Sequence, residues 1–185
     1  CGVSADQAGQ FAGRSLPGKD FSTALGDPVR AELHAVRDSV LFTYSGLATN
    51  DSELVRLLSE ARAAGMDPKT AVREAGYRPN LKKRGSLRCV FDGRYKFIRY
   101  FSPIDRNRPR DLDELYRWND VELFDLQQDP AETKNLALAK DENAALVATM
   151  SEKLEAIIKI EIGADDGREM PKVEGIDWGI DQMDL

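Results

Sequence analysis

SLRCVFDGRYKFIRYF, residues 86–101, decides the architecture. Both halves are rich in strand formers, and they meet at Asp92-Gly93, a dipeptide suited to the positive backbone angles of a tight hairpin turn. Along the second half, Tyr95, Phe97, Arg99 and Phe101 alternate with Arg94, Lys96, Ile98 and Tyr100. Neither face is purely apolar, so the hairpin is expected to be covered on both sides. Residues 102–113 carry two prolines and scattered charges without a period, which predicts a long loop. VELFDL, residues 121–126, alternates well enough for a further strand that Asp129-Pro130 ends. Over residues 141–162, Leu146, Met150, Leu154, Ile157, Ile158 and Ile162 recur at helical spacing, with Gly163 placed to close the helix. The expected fold class is α+β: a small antiparallel sheet packed by a long C-terminal helix.

Upstream of the hairpin the signals are more local. Residues 13–27 mix turn formers with a few apolar anchors and read as an irregular connector. Asp27-Pro28 predicts the start of a short helix with Val29, Leu33 and Val36 on its apolar face. Residues 39–44 form a compact run of strand formers and predict a buried strand. Asn50 or Asp51 would cap a helix whose Leu54, Leu57, Leu58 and Ala61 share a face before Gly65; Asp67-Pro68 would begin another that stops at Gly76. Beyond residue 165 the chain is acidic and broken by glycines, a tail held at most by Trp178.

The chain has 185 residues, 42% hydrophobic and 31% charged, enough apolar material for one core and a small satellite. No run approaches the roughly 18 apolar residues a membrane helix needs. Two cysteines, Cys1 and Cys89, are too few and too distant for a disulfide scaffold or a metal clip. The chain opens on Cys1 without a leader-like pattern, and is expected to be the later part of a longer product. Charge is uneven. Residues 82–110 hold ten basic and two acidic side chains, net +8, whereas residues 111–185 hold seven basic and twenty acidic, net −13. A strip of that density attracts phosphate or sulfate, but the aromatic residues within it alternate as strand residues do and frame no nucleic-acid motif. Neutralisation by the acidic part of the same chain is the plainer expectation.

Tests for catalytic chemistry give little. The single histidine, His34, sits on the predicted helix after Pro28 with no cysteine neighbour, so zinc chemistry has no support. Asp165, Asp166 and Glu169 lack a calcium-loop spacing and read as a solvated acidic run. Cys89 lies in strand alternation, which favours a packed thiol over a nucleophile. No G-x-S-x-G, P-loop or G-x-G-x-x-G occurs.

Three stretches taken together resemble the C-terminal region of type I sulfatases, the arylsulfatase-like branch of the alkaline phosphatase superfamily. GRSLPGKDFS (residues 13–22) is similar to the connector that follows the catalytic domain in that family. RCVFDGRYKF (residues 88–97) resembles its DGRYKFI hairpin, and VELFDLQQDPAETKNL (residues 121–136) its ELYDLxxDPxExxNLA signature, the most specific of the three. The resemblance runs from about residue 13 to about residue 167, with residues 50–76 as a helical insertion. It divides the chain into a connector (1–27), a C-terminal subdomain (28–167) and an acidic tail (168–185). Read by itself, the third stretch is a joint: Leu123 and Leu126 go to the core, Asp129-Pro130 breaks the strand, and Asn135-Leu136 turns the chain into the last helix.

Sulfatases of this type attack the sulfate ester with a formylglycine made from the first cysteine of C-x-P-x-R, beside a calcium held by Asp and Asn. Neither the five residues from Cys1 nor the five from Cys89 fit that pattern. The resemblance therefore implies calcium and formylglycine in a parent protein, upstream of residue 1, and assigns no catalytic residue, metal or cofactor to this chain, which alone is expected to be inactive. It also implies that this region packs on the catalytic domain and lends rim residues to a sulfate ester pocket, with neither nucleic acid nor membrane as partner. Arg84 and Arg88 suit an anionic ester, and Tyr44 an aryl or sugar group. The simpler alternative is that they pair with acidic residues of the chain or pack against the missing domain. Two other functions stay open: the same region of a phosphonate or phosphate ester hydrolase, and a free-standing anion-binding or nucleic-acid-binding module using residues 82–110. Compartment and oligomeric state are not encoded in these signals.

Overall fold

The computed structural model describes residues 18–46, 51–78, 80, 82–102 and 109–164. Its elements are α1 (Ser22–Gly26), β1 (Val40–Ser45), α2 (Ser52–Ala63), α3 (Pro68–Glu74), β2 (Ser86–Phe91), β3 (Tyr95–Phe101), α4 (Leu112–Trp118), β4 (Asp120–Asp125), a 3-10 turn (Leu136–Leu138) and α5 (Lys140–Glu161). The strands form one open antiparallel sheet in the order β1-β2-β3-β4, so strand order follows chain order. The fold is α+β, a small sheet with a long helix at the C-terminal side, as the sequence predicts.

The hairpin forms at the expected place, with Phe91 opposite Lys96 as the last strand pair. Its tip is Gly93-Arg94 rather than Asp92-Gly93. Gly93 takes φ +93°, and the Asp92 carboxylate stays behind it to accept from the Arg94 and Tyr95 amides at 3.1 and 2.8 Å. An added Cβ at Gly93 would lie 2.6 Å from the Leu33 side chain, so the turn is glycine for both backbone and space.

Strand register sorts the side chains into two faces. On the inner face, Val90, Phe97, Val121 and Leu123 meet Val147, Met150, Leu154, Ile157 and Ile158 of α5 in one cluster. Phe97, Leu123, Val147, Met150 and Leu154 are fully buried; each such side chain contributes roughly 1.5–3 kcal/mol of transfer free energy. Leu146 only flanks this cluster and Ile162, 43% exposed, lies past the helix end, so the predicted stripe shifts onto Val147. The outer face carries a smaller cluster of Cys89, Ile98 and Phe124 with Leu87, Tyr100 and Leu126. Leu126 thus faces away from Leu123, because side chains alternate along a strand and positions three apart fall on opposite faces; of the two leucines expected in the core, only Leu123 enters the inner cluster.

Four further expectations meet corrections. The helix predicted after Asp27-Pro28 does not form. The Asp27 carbonyl and carboxylate make a single turn with Arg30 and Ala31, and Val29 and Leu33 are 94% and 66% exposed, so among the described residues too little of the apolar face is covered to stabilise a longer helix. Instead α1 occupies the end of the stretch read as connector. The run at residues 39–44 becomes a strand, but an edge strand: Val40, Phe42 and Tyr44 are 51%, 58% and 43% exposed. α4 was unexpected; Asp111 caps it by accepting from the Glu114 amide at 2.8 Å, and residues 103–108 of the predicted loop lie outside the described residues.

The α2–α3 pair lies apart from both clusters and has its own core of Leu54, Ala61 and Val72. Asp51 fastens it. Its buried carboxylate accepts from the amides of Leu54 (3.2 Å) and Asn80 (2.9 Å), takes the Tyr77 hydroxyl, and lies 3.9 Å from Lys83 Nζ, so it caps α2 and ties the chain leading into β2. Burial works to raise its pKa, yet Tyr77, the two amides and Lys83 together hold it at about 2, below its ordinary 3.8. A depressed carboxylate stabilises the fold above its unfolded value and loses that contribution as pH falls through the folded one. Amides of α2 and α3 are expected to lose exchange protection between about pH 4 and 2, worth about 2 kcal/mol, whereas Asp51→Ala should remove that acid transition and be less protected at neutral pH.

Candidate functional site

Three side chains were expected at a pocket rim. Arg84 precedes β2 and crosses the end of the sheet, its guanidinium 2.5 Å from the Asp120 carboxylate and 2.8 Å from the Arg117 carbonyl. Tyr44 is on the outer face of β1, half exposed, opposite Leu87. Arg88 is 2% exposed on the inner face, its guanidinium 5.0 Å from the Phe101 ring centre and Nη1 donating to the Leu87 carbonyl at 3.1 Å. All three lie toward one end of the sheet, but Tyr44 and Arg88 face opposite ways because they stand at alternating positions of a β1–β2 pair. Among the described residues, Tyr44 and Arg88 therefore open to opposite faces of the sheet, with Arg84 at its end.

The cationic strip is extensively paired. Lys83 faces Asp51, Arg84 Asp120, Arg94 Asp125, Lys96 Glu132, Arg99 Glu155 and Arg110 Glu114. Five of these six carboxylates come from residues 111–161, so neutralisation within the chain arises from α4, β4, the joint and α5. Arg94 grips Asp125 with two nitrogens, at 3.1 and 2.6 Å, and this guanidinium holds the Asp125 carboxyl below its usual range.

Chemically reactive groups are scarce among the described residues. Burial pushes the Cys89 thiol up to about 11, which leaves it protonated at neutral pH and matches the packed role its alternation predicts. Burial, then the Glu122 carboxylate that accepts from the hydroxyl at 2.9 Å, pushes Tyr100 up to about 12. Among the described residues, no group of three or more His, Cys, Asp or Glu is placed to hold a metal ion. Asp165, Asp166 and Glu169 lie outside those residues.

One concavity was not foreseen. A groove of about 570 Å³ runs between the turns at residues 34–39 and α5. Ile157 and Ile160 contribute apolar surface, and His34 lies on its wall. Its ion pairs, Arg37 with Glu161 at 3.1 Å and Lys153 with Asp92, join residues more than sixty apart, a juxtaposition no local pattern announces. No protein-family model matches the chain, and no curated protein matches it significantly.

Proposed function

We propose that this chain is the C-terminal subdomain of a sulfuric ester hydrolase, an accessory unit that buttresses a formylglycine and calcium centre formed by residues upstream of Cys1. The observation carrying this reading is the behaviour of residues 121–136, the stretch most similar to the sulfatase signature. Its Asn135 side chain accepts from the amides of Leu123 and Ala137 and donates to the Val121 carbonyl, each at 3.0 Å. The most specific part of the resemblance is thus the joint that locks β4 to the start of α5, a demand of architecture that an accessory subdomain meets without catalytic groups of its own. In the parent, formylglycine would supply the nucleophile and calcium the charge neutralisation. This chain would supply the platform, with Arg84, Arg88 and Tyr44 as its candidates for the rim.

The purified 185-residue chain is expected to show no turnover of an aryl sulfate, while a protein carrying C-x-P-x-R ahead of it in the same reading frame should hydrolyse it. Turnover by the isolated chain, or an upstream region without that motif, overturns the reading. A phosphate or phosphonate ester in place of the sulfate ester would be recognised by a different nucleophile motif at the same place. The pairing of six strip cations with carboxylates disfavours the free-standing anion-binding module, and salt-sensitive retention on a phosphate matrix would revive it.

A further inference from the structure

The groove of about 570 Å³ between residues 34–39 and α5 falls in the size range of small-molecule sites, and its walls are fixed before any ligand arrives. Arg37 ties the turn to α5 through Glu161 at 3.1 Å, and Lys153 ties α5 to Asp92 at the hairpin. Leu33 packs so closely on the hairpin tip that a Cβ at Gly93 would stand 2.6 Å from it. Turn, hairpin and helix are thus pinned to one another around the opening, which lowers the ordering cost of filling it.

Two charged residues of the lining take no part in those ties. With Arg37 paired to Glu161 and Lys153 to Asp92, Lys19 and Asp38 remain, both exposed and neither in an ion pair among the described residues. His34 and Ser39 add hydrogen-bonding groups to the same lining. Its apolar part is aliphatic: Val36, Ala156, Ile157 and Ile160, the last of them 79% exposed.

One unpaired cation, one unpaired anion and an aliphatic surface select the chemistry of the occupant. A simple anion would gain Lys19 but meet Asp38, a simple cation the reverse, and an uncharged apolar molecule would cover both charges without answering either. A zwitterion with an aliphatic body answers all three. We propose that the groove binds a small aliphatic zwitterion, the chemistry of a branched-chain α-amino acid, with its carboxylate toward Lys19, its ammonium toward Asp38 and its side chain on Ile157 and Ile160. Both charged partners are solvated, so the site is weak, with half-saturation at about 1–10 mM. The inference uses only the groove and stands apart from the sulfatase reading.

The test is a titration of the full 185-residue chain with L-leucine, followed by amide proton–nitrogen spectra. Saturable shifts are expected at residues 34–39 and 153–161, while the amides of α2 and α3, which lie outside the groove lining, stay in place. Isocaproate, isoamylamine and glycine lack the ammonium, the carboxylate and the aliphatic body in turn, and each should bind about tenfold more weakly or worse. Lys19→Gln and Asp38→Asn should each weaken leucine binding several-fold; both side chains are exposed, so both variants should keep the wild-type spectrum away from the groove. The absence of a saturable shift with leucine overturns the proposal, as does leucine binding unchanged in both variants. Isocaproate binding as tightly as leucine also overturns it, in favour of a plain anion site, and glycine binding as tightly removes the aliphatic surface from the argument and the proposal with it.

Discussion

Glu155→Ala is expected to destabilise the protein by about 3–5 kcal/mol, lowering the thermal midpoint by roughly 10 °C or more, measured by calorimetry or denaturant titration. Arg99, 2% exposed on the inner face, donates from Nη1 to Glu155, which is a third exposed on α5. Removing the carboxylate leaves a guanidinium buried against the sheet, with Nε already lacking a protein partner and Arg88 directly across the β2–β3 pair. Taking out the other partner should have a much smaller effect. In Arg99→Met the side chain packs as a hydrocarbon of similar length, and Glu155 turns to water from its exposed position. A cost for Arg99→Met equal to that for Glu155→Ala would show that the pair acts through packing or through its own attraction, and that the buried charge is not what makes the site sensitive.

Asn135→Ala should cost about 3 kcal/mol, because its amide satisfies two backbone donors and one acceptor at the point where strand gives way to helix. Leu123, one of the residues it fastens, is fully buried beneath α5, so no water replaces the lost partners without opening the core. Asn135→Asp keeps the acceptor for Leu123 and Ala137 but loses the donor to the Val121 carbonyl; it is expected to fall between wild type and alanine in urea midpoint. Equal midpoints for wild type and Asn135→Ala would show that the joint is held by the surrounding apolar contacts.

The elements that sequence made legible are those whose stability is local or strongly periodic. The hairpin at residues 86–101 combines strand formers with a glycine turn, and α5 repeats its apolar stripe over six turns, so both emerge where expected. Asp51 and Asp67 behave as caps because a carboxylate beside free amides needs nothing distant. The failures share a cause. Periodicity says that residues 39–44 suit a strand, but whether that strand is central or peripheral depends on which neighbours arrive on its other side. The segment after Asp27-Pro28 has a cap and an apolar stripe, yet among the described residues most of that stripe stays exposed, and a short helix does not persist on propensity. α4 left a readable trace in Asp111 and Glu114, the three-residue spacing of a capping box. Of the rim candidates, alternation along the paired β1 and β2 separates Tyr44 from Arg88, a fact available only once the two strands are known to pair. The groove beside α5 unites residues from both ends of the chain and had no sequence signature at all.

The connection from β1 to β2 covers residues 46–85, whereas the other strand connections are a hairpin tip and the segment holding α4. Loop-closure entropy grows only with the logarithm of length, so halving or doubling that excursion changes the free energy by about 0.6 kcal/mol. A helical pair with its own small core, anchored by Asp51 at the point where it leaves the sheet, can therefore lengthen, shrink or vanish between lineages at almost no thermodynamic penalty. Length variation among homologues should concentrate there, while the β2–β3 hairpin and the joint after β4 tolerate almost none.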